Sequence, residues 1–151
     1  MPENTDSKSV QWSPKVVAFV CNWCTYTGAD LAGTSRLKMV PNVRVIRLNC
    51  SSRVNPLFII KAFERGADGV IVSGCHPGDC HYSTGNYYAR RRFAVLYDLL
   101  DFLGVDRNRV TFSWVSASEG NKWQHVVNET AERIAALGPF RPFAEKCGEM
   151  R

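Results

Sequence analysis

Five of the six cysteines in this 151-residue chain lie in three short segments, and each segment follows a run of apolar residues. The first segment holds a C-x-x-C pair, the second a single cysteine and the third a C-x-x-x-x-C pair. These residues are Cys21 and Cys24, Cys50, and Cys75 and Cys80. Thiolates at such spacings bind iron–sulfur clusters or zinc, and a C-x-x-C pair can also exchange disulfides. Cys147 stands alone in a charged tail, and we interpret it as incidental because isolated cysteines are more often inert than ligands.

An iron–sulfur cluster is the chemistry that these spacings favour. Such clusters are typically held by four thiolates, and five candidates are available. A zinc site with His76 or His81 as a further ligand is an alternative, but zinc sites usually come from two C-x-x-C knuckles and this chain has one. A thiol–disulfide exchanger built on Cys21 and Cys24 is a third interpretation, and it leaves three further cysteines without a role.

Two histidines and two glycines surround the last cysteine pair. With five thiols at hand, we expect His76 and His81 to hydrogen-bond or cover the ligands rather than to bind the metal. Gly74 and Gly78 leave backbone amides free to donate to the sulfides of a cluster, and such bonds help to set its potential.

The apolar runs before the cysteines are rich in β-branched residues and predict strands. These runs are 16–20, 43–48 and 69–73, and 109–115 predicts a fourth strand. Strands that alternate with helical patterns form parallel sheets, and right-handed crossovers place the helices on both faces. We therefore predict a single α/β domain with about four parallel strands, flavodoxin-like in topology. Its cysteines meet at the carboxyl ends of the strands, where such sheets bind ligands.

Four helices are predicted from caps and apolar stripes. The first is expected to run from about Asp30, as its N-cap, to Met39. The second is predicted over 57–65 and the third over 85–103, each followed by a glycine. The last follows a capping-box pattern and ends at Leu137.

The composition is typical of one folded domain, with 45% hydrophobic residues and a net charge of +5. We divide the chain into an N-terminal arm (1–15), the domain itself (16–138) and a C-terminal tail (139–151). The N-terminus lacks the apolar core of a signal peptide, and no apolar run approaches the roughly 20 residues that cross a bilayer. We therefore predict a cytoplasmic protein without membrane insertion. No nucleotide fingerprint and no acid–base or nucleophilic constellation accompanies the thiols, so we expect no turnover by the chain alone.

Six short motifs together resemble one protein family. They are CNWCTY at 21–26, ADLAG at 29–33, NCSSRVNP at 49–56, GADGV at 66–70, GCHPGDCHY at 74–82 and GN at 85–86. This set resembles the small iron–sulfur (delta) subunit of methyl-viologen-reducing nickel–iron hydrogenase. The resemblance covers about residues 16–137, and only the two tails lie outside it.

The resemblance implies a 2Fe–2S cluster and a role as an electron conduit. In that family the subunit links a hydrogenase, or a formate- or NADH-oxidising module, to the flavin subunit of heterodisulfide reductase in an electron-bifurcating complex. It implies that four of the five clustered cysteines bind iron. Our expectation is that Cys75 and Cys80 both do so, and that the spare thiol comes from the first two loops. We predict no nucleic-acid partner.

A basic helix segment beside the cysteines predicts a docking surface. Arg90, Arg91 and Arg92 are consecutive and lie near several tyrosines. Protein interfaces favour arginine and tyrosine, so we expect this segment and the aromatic loops to face neighbouring subunits.

Overall fold

Parallel pairing of four strands builds one sheet in the order β2-β1-β3-β4. The strands are β1 (Val16–Cys21), β2 (Val43–Leu48), β3 (Gly69–Gly74) and β4 (Val110–Trp114). This computed structural model describes residues 12–143 of the chain. The strand order is that of a flavodoxin-like sheet, so the predicted α/β class with four parallel strands is confirmed.

The strands differ in how deeply they are buried. β3 is buried along its whole length, which suits a continuous apolar run in a sheet covered on both faces. β2 forms one edge of the sheet and is largely exposed. It carries Arg44 and Arg47, and charged side chains are common on edge strands. The core therefore lies over the inner strands and leaves β2 partly uncovered.

Helices cover both faces of the sheet, as predicted. They are α1 (Thr25–Thr34), α2 (Pro56–Glu64), α3 (Gly85–Phe102) and α4 (Gly120–Leu137). One face packs against α1 and α4 around residues such as Ile71 and Trp123. The other packs against α2 and α3 around residues such as Val72, Phe63 and Leu96. Because side chains alternate along each strand, the two cores share the same strands.

The first helix lies earlier in the chain than the predicted range 30–39. It spans Thr25–Thr34, and the amides of Arg36 and Leu37 donate to carbonyls of its last turn in the two-bond pattern of a Schellman motif. Arg36 adopts the left-handed conformation that this motif requires, with a φ of 55°. The predicted start at Asp30 was wrong because the helix begins directly after Cys24, which becomes its N-cap.

The second and third helices follow the prediction within one residue at each end. Asn55 accepts a hydrogen bond from the amide of Leu57 at 3.0 Å, which is a standard N-cap contact. Gly66, with a φ of 93°, follows the end of α2 in the left-handed conformation.

Asp68 ties both ends of the domain together. Its carboxylate accepts the backbone N–H of Lys15 and that of Phe140, each at 2.9 Å. Phe140 is buried, and its ring packs on Phe63 with 4.9 Å between centroids. Ordered packing thus continues just past residue 138.

Parts of the predicted arm and tail fall outside the described residues, namely 1–11 and 144–151, and Cys147 is among them. Within the described range 12–143, no helix combines the length and apolar character that crossing a bilayer requires.

Candidate metal centre

Three neighbouring strands deliver the cysteines to one edge of the sheet. Cys21 is the last residue of β1, Cys50 lies just beyond β2 and Cys75 directly follows β3. Cys24 and Cys80 come from the loops after β1 and β3. Because β1 lies between β2 and β3, the parallel arrangement brings the three segments side by side.

The five thiols form two adjoining groups. Cys21, Cys24 and Cys75 pack into a buried trio, and Cys80 contacts that trio. The sulfur of Cys80 also lies 3.9 Å from the sulfur of Cys50. All five are free thiols, so the site offers five sulfur donors within one contiguous cluster.

A buried hydroxyl network fixes the loop that carries Cys24. Thr25 is completely buried, and its hydroxyl lies 3.1 Å from that of Ser73 and donates to the carbonyl of Val115 at 3.3 Å. The Cys24 sulfur lies 3.8 Å from the Thr25 hydroxyl. The start of α1 is therefore anchored to the carboxyl ends of β3 and β4, and Cys24 is held with it.

Asn86, in the first turn of α3, holds the loop that carries Cys75. Its side-chain amide donates to the carbonyls of Cys75 and His76, at 3.2 and 2.7 Å, and lies 3.7 Å from the Cys75 sulfur. Asn86 is completely buried, yet its Oδ1 has no hydrogen-bond partner among the described residues, and neither does the buried hydroxyl of Ser51. Unpartnered buried polar atoms are rare, so both mark a place where a further polar group fits.

The N-terminus of α3 lies against the sulfurs of Cys50 and Cys80. A Cβ placed on Gly85 would come within 2.5 Å of the Cys50 sulfur and 3.0 Å of the Cys80 sulfur. Burial opposes ionisation of Cys80, but the N–H groups of Tyr82 and Asn86 hydrogen-bond to its sulfur and lower its pKa overall. Helix N-termini stabilise negative charge, so this end of the site favours an anionic group.

Crowding in the trio separates the acidities of its thiols. Hydrogen bonds with Cys24 and then Cys75 lower the pKa of Cys21 to about 2. The hydrogen bond with Cys21 raises the pKa of Cys24 to about 11, and bonds with both neighbours raise the pKa of Cys75 further above its ordinary value. The trio thus accommodates one thiolate readily, and further ionisation requires a positive charge such as a metal supplies.

The two histidines make different contacts. His76 Nε2 lies 2.6 Å from the carboxylate of Glu119, which also accepts the backbone N–H of Ser116 at 2.8 Å. The Ser116 amide, and after it the His76 ring, lower the pKa of Glu119 to about 2. Only this half of the predicted capping box forms, because the Ser116 hydroxyl pairs with Ser118 instead. The contact joins the cysteine loop after β3 to the turn before α4.

His81 belongs to an aromatic cover that joins the two cysteine loops. Its ring stacks on Trp23 with 3.8 Å between centroids and an interplanar angle of 13°. The Trp23 indole N–H donates to the hydroxyl of Tyr82 at 3.2 Å. Trp23 follows Cys21 and Tyr82 follows Cys80, so these contacts hold the two loops side by side.

The donor set fits a multi-atom inorganic group. Within residues 12–143, no three or more His, Cys, Asp or Glu side chains are placed to hold a single metal ion. The site combines five soft sulfur donors, helix N–H groups and a position at Gly85 where even a methyl group would collide with sulfur. Iron–sulfur clusters take thiolate ligands and hydrogen bonds to their sulfurs.

Sequence reasoning missed four contributors to this site: Thr25, Ser73, Asn86 and Glu119. The Gly-Asn pair at 85–86 was visible as part of a motif, but nothing in its own spacing assigned Asn86 to Cys75. Each of the four acts across the fold, so its partner lies far away in sequence.

Comparison with known proteins gives consistent relatives. The family model described as methyl-viologen-reducing hydrogenase, delta subunit, matches residues 16–138. The iron-sulfur subunit of the vhc F420-non-reducing hydrogenase of Methanococcus voltae is 56% identical over 128 residues, which cover 85% of this chain and 89% of that protein. The iron-sulfur subunit of the F420-non-reducing hydrogenase of Archaeoglobus profundus is 52% identical over 133 residues, covering 88% of this chain and 97% of its own length.

A third relative is much longer than this chain. It belongs to the ferredoxin/F(420)H(2)-dependent CoB-CoM heterodisulfide reductase of Methanosarcina acetivorans, as one of its subunits, and it is 43% identical over 135 residues. The match covers 89% of this chain but 17% of that protein. With the family model matching most of its length, the chain belongs to the family of the delta subunit of methyl-viologen-reducing hydrogenase.

Proposed function

We propose that this chain holds one 2Fe–2S cluster at the carboxyl edge of its sheet and relays single electrons between a hydrogenase and heterodisulfide reductase. The observation that carries the proposal is the convergence of five free thiols from three strand ends. When bound, such a cluster accepts and releases one electron at a time. The family of the chain supports this assignment, because its relatives are named as hydrogenase iron–sulfur subunits.

We propose Cys21, Cys24, Cys75 and Cys80 as the ligands and Cys50 as the spare thiol. The first four form one contiguous group, whereas Cys50 touches it only through Cys80. This choice agrees with the expectation that the last two cysteines both bind and that the spare thiol comes from the first two loops.

The remaining residues position the sulfurs and cover them. Asn86 donates to the Cys75 sulfur, and the N-terminus of α3 points at Cys80. Trp23 and His81 stack over the loops and limit the access of water to the site. Hydrogen bonding and solvent exposure are two of the levers that set the potential of a cluster.

The long relative supports heterodisulfide reductase as a partner. That protein carries a segment similar to this chain within one polypeptide. A covalent join keeps two domains at high effective concentration, so a separate chain needs a docking contact to the equivalent polypeptide. We propose that this chain docks on the flavin subunit of heterodisulfide reductase, which accepts the electrons. The donor is a hydrogenase, or a formate- or NADH-oxidising module, of an electron-bifurcating complex.

Anaerobic purification of the full chain tests the cluster. We expect a brown protein with two irons and two sulfides, and a paramagnetic signal after reduction by one electron. A colourless protein with stoichiometric zinc would contradict the proposal and support a structural adaptor. Dithiol-dependent disulfide reduction that Cys24→Ser abolishes without loss of metal would support a thiol redox protein instead.

Matched cysteine variants test the ligand set. Cys50→Ser should keep the cluster and its spectrum, whereas Cys75→Ser should lose it, because Cys75 lies in the buried trio. Loss of the cluster in Cys50→Ser, with retention in a variant of Cys21 or Cys24, would show that the spare thiol lies in the first loop.

A further inference from the structure

A groove on the face of the sheet that carries α2 opens toward the amino ends of β1 and β2, away from the cysteines. It has a volume of about 600 Å³. Phe19, Ile46 and Phe58 line it, and the ring of Phe58 packs on that of Phe19 with 6.1 Å between centroids. Ile46 and Phe58 are 44% and 43% exposed. Apolar side chains that are exposed side by side mark a surface that another molecule can cover.

The topology explains why the groove is open. The chain leaves β2 at the edge of the sheet and returns as β3, and β1 lies between these two strands. Because α2 makes this connection, it lies over the inner strands and leaves the adjacent face of β2 without a helix. The exposure is therefore built into the fold.

The rim of the groove carries only positive charge. Lys15, Arg44, Lys61 and Arg65 line it, and its described lining includes no carboxylate side chain. Lys61 pairs with Glu64 at 2.7 Å, whereas Lys15, Arg44 and Arg65 form no ion pair with any residue between 12 and 143. Unpaired like charges around an apolar floor are complementary to an acidic and amphipathic partner.

We infer that this groove is a docking site for an acidic, amphipathic segment of another protein in the complex. Apolar side chains of that segment would cover Ile46 and Phe58, and its carboxylates would face Arg44 and Arg65. The inference rests on the proposed function only in taking the partner from the same complex. Six-residue strands are about 20 Å long, so this contact anchors the chain far from the edge where electrons enter and leave.

The edge strand itself supplies a matched pair of variants. Arg44 lines the groove, whereas Arg47 lies on the opposite face of β2, over the ring of Tyr26 at 4.8 Å. Arg44→Glu and Arg47→Glu make the same change of charge three residues apart on one exposed strand. Only the first alters the groove.

The test measures binding of the full-length, cluster-loaded chain to two immobilised partners from the same organism, the flavin subunit of heterodisulfide reductase and the hydrogenase. We expect Arg44→Glu to weaken binding to one of them by about tenfold or more and to reduce its salt dependence. Arg47→Glu should change the same affinity by about twofold or less. Equal effects of the two variants, or no effect on either partner, would overturn the inference.

Zero-length carbodiimide cross-linking distinguishes the occupants. Links from Lys15 or Lys61 to carboxylates of the partner protein would support the docking site. Persistent links to Glu3 or Asp6 of the same chain would overturn it, as would a dimer of this chain that Arg44→Glu dissociates. The visible spectrum of the same samples reports on the cluster separately. An absent cluster contradicts the proposed function, while the affinities still decide the docking site.

Discussion

The side-chain nitrogen of Asn86 lies 3.7 Å from the sulfur of Cys75, and the same amide grips the backbone of that loop. The donor comes from the first turn of α3, whereas the sulfur follows β3. A hydrogen bond to a ligand sulfur stabilises the reduced, more negative state of a cluster and raises its potential. The contact therefore couples the placement of α3 to the ease of reduction.

Replacing Asn86 should lower the reduction potential. A hydrogen bond is worth about 1 kcal/mol, which corresponds to roughly 40 mV for one electron. We expect Asn86→Ala to shift the midpoint down by about that amount in a redox titration followed by paramagnetic resonance. Asn128→Ala is the control, since Asn128 bonds Lys38 and Val40 far from the cysteines. An unchanged midpoint with full iron content would show that the amide acts on the loop backbone alone.

Adding a methyl group at Gly85 should disrupt the site. Its Cβ would lie 2.5 Å from the Cys50 sulfur, and overpacking of this kind costs about 1–3 kcal/mol. We expect Gly85→Ala to lower the free energy of unfolding and the iron content. Gly33→Ala is the matched control: its Cβ meets nothing within 4 Å, and alanine stabilises a helix by roughly 0.5–1 kcal/mol. Adding Cys50→Ala should restore part of the loss, and a double variant no better than Gly85→Ala would argue against the collision.

Protonation of Glu119 should weaken the fold at acid pH. The pKa of Glu119 is lowered to about 2, below its unfolded value of about 4.3. Its contribution to stability is therefore complete above about pH 4.3 and is lost as the pH falls toward about 2. Urea unfolding of the iron-free chain should show the largest deficit of Glu119→Gln at neutral pH and a shrinking deficit below about pH 4. Glu132→Gln, an exposed change on the same helix, should show no such trend.

The fold was accessible from the sequence because its signals are local. Runs such as 69–73 and caps such as Asn55 specify strands and helix starts within a few residues. The start of α1 was missed because the buried hydroxyl of Thr25 sets it, through contacts with Ser73 and Val115 that lie 48 and 90 residues away. No local signal at Arg36 announces that a non-glycine residue closes the helix in the left-handed conformation.

The candidate site was accessible in part for the same reason. The rule that ligands sit beyond the carboxyl ends of parallel strands brought Cys21, Cys50 and Cys75 together from sequence. The contact of His76 with Glu119 spans 43 residues, and that of Cys75 with Asn86 depends on how α3 crosses the end of β3. Packing between elements decides such contacts, and periodicity does not encode it.

The basic segment of α3 gives the last prediction. Arg90 and Arg91 are exposed, and Arg91 lies over the ring of Tyr88 at 5.8 Å. Arg92 differs from them because its guanidinium donates to the backbone carbonyl of Ser52, in the segment after Cys50. Reversal of all three charges would therefore disturb the cysteine loop as well as the surface.

The double variant Arg90→Glu with Arg91→Glu isolates the surface effect. If this segment faces a neighbouring protein of the complex, the variant should reduce co-purification of the complex and slow electron transfer to heterodisulfide reductase, because rim charges act mainly on the association rate. Its visible spectrum and midpoint potential should stay unchanged, since neither side chain bonds the cysteine loops. Reversal of the exposed Lys122 and Arg141 is the control for total charge. Normal assembly and normal transfer rates in the Arg90 and Arg91 variant would assign these arginines to the solvated face of the helix and leave the groove beside β2 as the remaining candidate contact.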